Sequence, residues 1–139
     1  MVTFSSGRLI TGLLTATLLG AGALVPGGRA AGPPEADPGA RAFQKCFACH
    51  SLDPRETNLP GPNLHKLFGR VAGSLPGFDY SGVMVAAGRQ KGLVWDERTL
   101  DRYLAEPEAL VPGTLMALVP IKDPAERQAV IEYLKRATE

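Results

Sequence analysis

Apolar positions divide this chain into unlike parts. Near the N-terminus they form one run, Leu9 to Val25, broken only by Gly and Thr. Near the C-terminus they recur at helical spacing. In "DPAERQAVIEYLKRATE", Val130, Ile131, Tyr133 and Leu134 share one face. Asp123 stands there as N-cap, Pro124 at the first helical position and Glu126 at the third. A second helix is predicted over about Glu97–Ala105, capped by Asp96, with Leu100, Tyr103 and Leu104 on one side. Asp37-Pro38 opens a third, running into Cys46. From Ser51 to about Gly92 neither period appears. Pro54, Pro60, Pro62, Pro76 and many glycines predict loop there, and "EPEALVPGTLMALVP" is a second irregular stretch. The pattern is all-α: three or four short helices, long loops, no sheet and no internal repeat.

Short helices are marginal on their own, and loops of this length need something to organise them. Apolar residues make up 45% of the 139, enough for one domain, yet only 6% are aromatic. A large apolar cofactor at the centre would account for both the loops and the modest core. The formal charge of +1, with no Lys/Arg run, argues against a nucleic-acid binder. Residues 1–30 carry no acid. Arg8 precedes the apolar run, and Gly28 and Ala30 place small residues before a cleavage point. This is the layout of a secretory signal peptide. The alternative is an uncleaved anchor, for which the run falls short of the ~20 residues that span a bilayer. Cleavage would remove Arg8 and Arg29 from the 15 basic residues, leaving 13 against 14 acidic, a charge of −1. Residues 31–37 then read as a flexible leader and 38–139 as the domain.

Both cysteines and both histidines fall in "KCFACHSLDPRETNLPGPNLH". Three chemistries use C-x-x-C-H. A redox disulfide wants a βαβ setting, which the pattern lacks. A zinc site from Cys46, Cys49, His50 and His65 wants two separated ligand pairs, and adjacent Cys49 and His50 diverge. A covalent haem c uses both thiols for its vinyl groups and places the next His under the iron. Export favours the haem. The second axial position is open to Met84, Met116, His65 or nothing. A lone Met more often fills a core, but Met116 ends the Pro-Gly loop "VPGTLM", which can reach the opposite face, and this favours Met116.

Several stretches in order resemble the class I c-type cytochromes, across nearly all of 38–139. "GARAFQKCFACH" is similar to their opening helix and attachment site, and "GPNLHKLFGRVAG" to the segment on the His side. "GLVWDERTLDRYLAEP", "PGTLM" and "ERQAVIEYLKRATE" resemble their middle helix, Met loop and closing helix. The resemblance implies a cytochrome c fold around one haem c, with thioethers at Cys46 and Cys49 and axial ligands His50 and Met116. It implies that the Pro62 carbonyl accepts from His50, and that Arg70, Tyr80 and Trp95 hold a propionate. Tyr103 and Thr114 would stand on the Met side, Gly39 and Phe43 would pack on Val130 and Tyr133, and His65 would lie at the surface. Tyr80 and Trp95 stand 15 positions apart, as in longer bacterial members, where Met84 has a packing counterpart. Where the mitochondrial form has lysines around its haem edge, this chain has Glu108, Ala109 and Leu115; only Lys45 and Lys122 are well placed. The implied function is a periplasmic, monomeric one-electron carrier, not an enzyme. Its partners would be redox proteins: a membrane cytochrome complex, an oxidase, a reaction centre or a periplasmic dehydrogenase. Two rival readings are a haem enzyme or gas-binding protein with a labile sixth ligand, and a fixed subunit of an oxidoreductase.

Overall fold

A computed structural model describes residues 37–138. The expected signal peptide, and the leader as far as residue 36, lie outside the described residues. The described chain is helical, with no strand and one isolated antiparallel bridge, Val71 to Val94. The helices are α1 (Pro38–Phe43), α2 (Gly82–Lys91), α3 (Glu97–Ala105), α4 (Pro107–Leu110) and α5 (Pro124–Thr138).

The capping residues read from the sequence start their helices as expected. The Asp37 carboxylate accepts from the Gly39 N–H at 2.9 Å, and Asp123 accepts from the Ala125 N–H at 2.9 Å. Asp96 and Thr99 cap each other's backbone at the start of α3, at 2.7 and 2.8 Å. Three expectations need correction. Helix α4 lies in the stretch expected to be irregular, and with α2 it makes five helices among the described residues instead of three or four. Helix α1 ends at Phe43, and turns, not helix, carry the chain on through Cys46. The stretch expected to be loop from Ser51 to Gly92 contains α2. That helix was hidden because Val83 to Ala87 is one unbroken apolar run with no 3.6-residue period. Its caps do carry a signal: the Ser81 hydroxyl accepts from the Met84 N–H at 3.4 Å, and Gly92 closes the helix with φ 66°.

Helices α1 and α5 form the main crossing. Phe43, Val130 and Ile131 are fully buried, and the Phe43 and Tyr133 rings lie 5.5 Å apart. Close approach depends on Gly39. A Cβ there would stand 2.5 Å from the Tyr133 Cβ and collide with the Ala129 carbonyl, neither of which can swing away. Two ion pairs bracket the crossing, Arg136 to Asp37 at 2.7 Å and Lys45 to Glu126 at 2.5 Å. Both are exposed, so each is worth only ~0.2–1 kcal/mol, and packing carries the crossing. Arg127 ties α5 to α3 through Asp101 at 2.6 Å, and it also holds the Ile121 carbonyl at 2.9 Å. That second bond anchors the C-terminal end of the loop that contains Met116.

Gly39→Ala should therefore lower the unfolding free energy by about 1–3 kcal/mol, the range for overpacking. Gly82→Ala, at the start of α2 where nothing lies within 4 Å, should leave stability unchanged or raise it by up to ~1 kcal/mol. Urea titration of both variants checks the pair. Equal stabilities would show that the crossing can yield.

Candidate functional site

The residues after α1 form a tight, helix-like turn. The Cys46 N–H donates to the Phe43 carbonyl at 2.8 Å, and the Cys49 and His50 N–H groups both donate to the Cys46 carbonyl, at 3.1 and 2.9 Å. Residues three apart on such a turn share a face, so Cys46 and Cys49 point the same way. Both are free thiols, Cys46 half-buried and Cys49 exposed. Burial pushes the Cys46 thiol up to about 11, against the weaker pull of Lys45. At neutral pH it is a protonated thiol, the opposite of an activated redox cysteine. Among the described residues no group of three or more His, Cys, Asp or Glu is placed to hold a metal ion.

His50 is fixed by its neighbour across the loop. Its Nδ1 lies 2.7 Å from the Pro62 carbonyl oxygen. A carbonyl only accepts, so Nδ1 carries the hydrogen and Nε2 keeps its lone pair. Burial lowers the His50 pKa, more than the Pro62 bond raises it, and this favours the neutral ring. Gly61 makes the approach possible. Its N–H donates to the Cys49 carbonyl at 2.8 Å, and a Cβ there would meet the His50 Cε1 at 2.5 Å and Nδ1 at 2.8 Å. Asn63 secures the loop: its amide donates to the Asp53 and Glu56 carbonyls at 2.6 and 2.9 Å, and its oxygen accepts from the His65 N–H at 2.7 Å. Sequence reasoning assigned Gly61 and Asn63 no role. The Pro-Gly-Pro-Asn run is a turn signal, but nothing in it names the partner.

Arg70, Tyr80 and Trp95 come together beyond that loop. Arg70 donates to the Asn63 carbonyl at 2.9 Å and also to that of His65, which is half-buried, not fully at the surface. The Tyr80 phenol is raised by burial, an effect opposed by the neighbouring Arg70 guanidinium. Trp95 is buried, its backbone N–H bonded to the Arg70 carbonyl at 2.9 Å and its ring 5.1 Å from that of Tyr103. The Tyr103 and Thr114 hydroxyls are 2.6 Å apart, and Thr114 accepts from the Met116 N–H at 3.4 Å. Met116 and Met84 are both half-buried against the core, with Leu52, Leu64, Phe68, Leu93 and Leu118. Met84 and Met116 pack alike, so burial does not tell a core-filling thioether from a ligating one, and Val83 beside Met84 is 39% exposed.

The donor set fits a covalently attached haem. Two thiols share a face, a neutral imidazole stands beside them with a free Nε2, a thioether lies on another loop, and half-buried apolar side chains accompany them. No family model matches the chain. Curated proteins do. It is 46% identical to cytochrome c2 of Afifella marina over 97 residues, 70% of this chain and 77% of that protein. It is 44% identical to cytochrome c2 of Rhodomicrobium vannielii over 96 residues, 69% of this chain and 74% of that one. It is 41% identical to cytochrome c of Sesamum indicum over 107 residues, 76% and 93% of the two chains.

Gly61→Ala should force the His50 ring off the Pro62 carbonyl and destabilise the fold by about 1–3 kcal/mol. Exchange of the His50 Nδ1 proton, followed by nitrogen-edited NMR, should speed up by at least about tenfold, since that bond protects it. Exchange at the parent rate would show that the loop makes room.

Proposed function

This chain belongs to the class I c-type cytochromes, electron carriers with covalent haem c, and from that premise we propose a periplasmic one-electron carrier with His50/Met116 axial ligation. The observation that carries the reading is the 2.7 Å bond from His50 to the Pro62 carbonyl, one residue past the paired cysteines. It fixes the tautomer whose Nε2 can ligate, and it makes the imidazole a stronger donor.

When bound, the haem supplies a one-electron iron couple. The chain's residues do the rest. Cys46 and Cys49 would hold the haem through thioether bonds to its vinyl groups. His50 and Met116 would supply the two donors to the iron. A thioether is soft and favours ferrous iron, which raises the potential. Were both His50 and Met116 to ligate, the group would offer no open position to a substrate, which favours a carrier over an enzyme. Tyr103 and Thr114 orient the Met116 loop. Arg70, Tyr80 and Trp95 are suited to a propionate, although two of the Arg70 nitrogens already hold backbone carbonyls. The leading segment 1–30 would direct export, and no helix among the described residues is long and apolar enough to cross a membrane.

Two experiments test this. Haem held by thioethers stays with the chain after denaturation, so a peroxidase-active stain should mark its band on a denaturing gel. Cys46→Ala with Cys49→Ala should abolish that band, and undiminished staining would sink the attachment. For the ligand, Met116→Ala should lose the weak ferric band at the red end of the spectrum, lower the potential and open a site for carbon monoxide. Met84→Leu should change none of these and cost under ~1.5 kcal/mol, as Leu and Met swaps in cores do. The reverse pattern would move the ligand to Met84.

A further inference from the structure

The chain that follows Met116 is tied only at its two ends. Among the described residues, no backbone N–H or carbonyl of residues 117–120 bonds to another backbone group. At the near end, the Thr114 hydroxyl accepts from the Met116 N–H at 3.4 Å and lies 2.6 Å from the Tyr103 hydroxyl. At the far end, the Ile121 N–H donates to the Leu104 carbonyl at 2.9 Å. The carbonyls of Ile121 and Lys122 both accept from one terminal nitrogen of Arg127, at 2.9 and 3.1 Å. The Nε of the same guanidinium donates to Asp101 at 2.6 Å. Asp101, Tyr103 and Leu104 all belong to α3, so one helix takes part in holding both ends.

Arg127 is well placed to be the stronger of the two fastenings. It stands near the start of α5, where its own N–H donates to the Asp123 carbonyl at 3.1 Å, so its root is fixed. Its side chain is only 12% exposed, and Ile121 is buried, so water has little access to replace these bonds. A bond from a charged donor is stronger than one between neutral groups. The planar guanidinium aims separate N–H groups at separate partners, which a single ammonium cannot copy. Asp101 is 45% exposed and can turn to water, whereas the two carbonyls belong to the loop end itself.

We propose that Arg127 is a positioning residue for the sixth ligand: by clamping residues 121 and 122 between α3 and α5 it holds Met116 in place, and so sets how fast another donor can displace the thioether. The proposal rests on Met116 as ligand. A segment fixed at both ends and unbonded between them keeps its course only while both ends hold. Released at Ile121, it would hang from Thr114 alone. In the displacement the thioether sulfur gives up its place to the lone pair of the entering donor; no electron is transferred.

The test follows imidazole binding to the ferric, haem-loaded protein by stopped flow. Urea stability and hydrogen exchange of the Ile121 amide are measured beside it. Arg127→Ala should bind imidazole at least about tenfold faster than the parent and exchange the Ile121 amide at least about tenfold faster, as expected for a lost bond from a charged donor. Arg127→Lys keeps the charge without the fork and should bind at least about threefold faster than the parent. Gly39→Ala weakens a different contact of α5; it should lose stability yet bind imidazole within about twofold of the parent, because local opening does not follow global stability. An Arg127→Ala that loses stability but binds at the parent rate would show a structural role only and overturn the proposal. So would a Gly39→Ala as fast as Arg127→Ala. Should Arg127→Ala fail to fold, Arg127→Lys at the parent rate overturns it. A parent without the weak ferric band at the red end, or a Met116→Ala no faster than the parent, would remove Met116 as ligand and the clamp's role with it.

Discussion

The bond between His50 and the Pro62 carbonyl is the constraint on which the rest of this structure depends. It joins the turn that carries the two thiols to a proline-rich loop with no regular structure of its own. One end sets the tautomer and direction of the imidazole. The other fixes Pro62, next to Gly61 and Asn63, whose own bonds gather Asp53, Glu56 and His65. A loop so long is normally a weak element. Here it is held from within by side chain to backbone bonds, and Arg70 carries the restraint on toward Trp95.

Around this site the helices act as a frame. The α1–α5 crossing depends on the missing side chain of Gly39 and places the cysteine turn at the end of a short, firmly packed helix. Helix α5 also reaches the far side of the site, because Arg127 holds the Ile121 carbonyl at the end of the Met116 loop. The cysteine turn and the Met116 loop are thus braced by the same helix. Outside the frame, the Met116 loop turns the apolar side chains of Leu115, Ala117 and Val119 to solvent.

Most of the chemistry is legible in the amino-acid sequence. C-x-x-C-H, the Pro-Gly loop before Met116 and the caps at Asp37, Asp96 and Asp123 are local patterns, and local patterns are written in consecutive residues. Helix α2 is not legible from periodicity, because Val83 to Ala87 gives no alternation to read, and its caps at Ser81 and Gly92 are the only signals. The early end of α1 escapes for a related reason: nothing apolar or polar in "QKC" distinguishes helix from successive turns.

By itself the sequence determined the spacing of Cys46, Cys49 and His50, the helical class and most helix starts, since each follows from neighbouring residues and their propensities. Only the tertiary structure decided that Gly61 must lack a side chain, that Arg70 spends two nitrogens on backbone carbonyls, and that Leu115, Ala117 and Val119 face outward together. Each of these depends on which distant groups share a small space. The physical reason is that steric exclusion and hydrogen-bond geometry act between residues brought close by folding, whereas a sequence pattern records only neighbours along the chain.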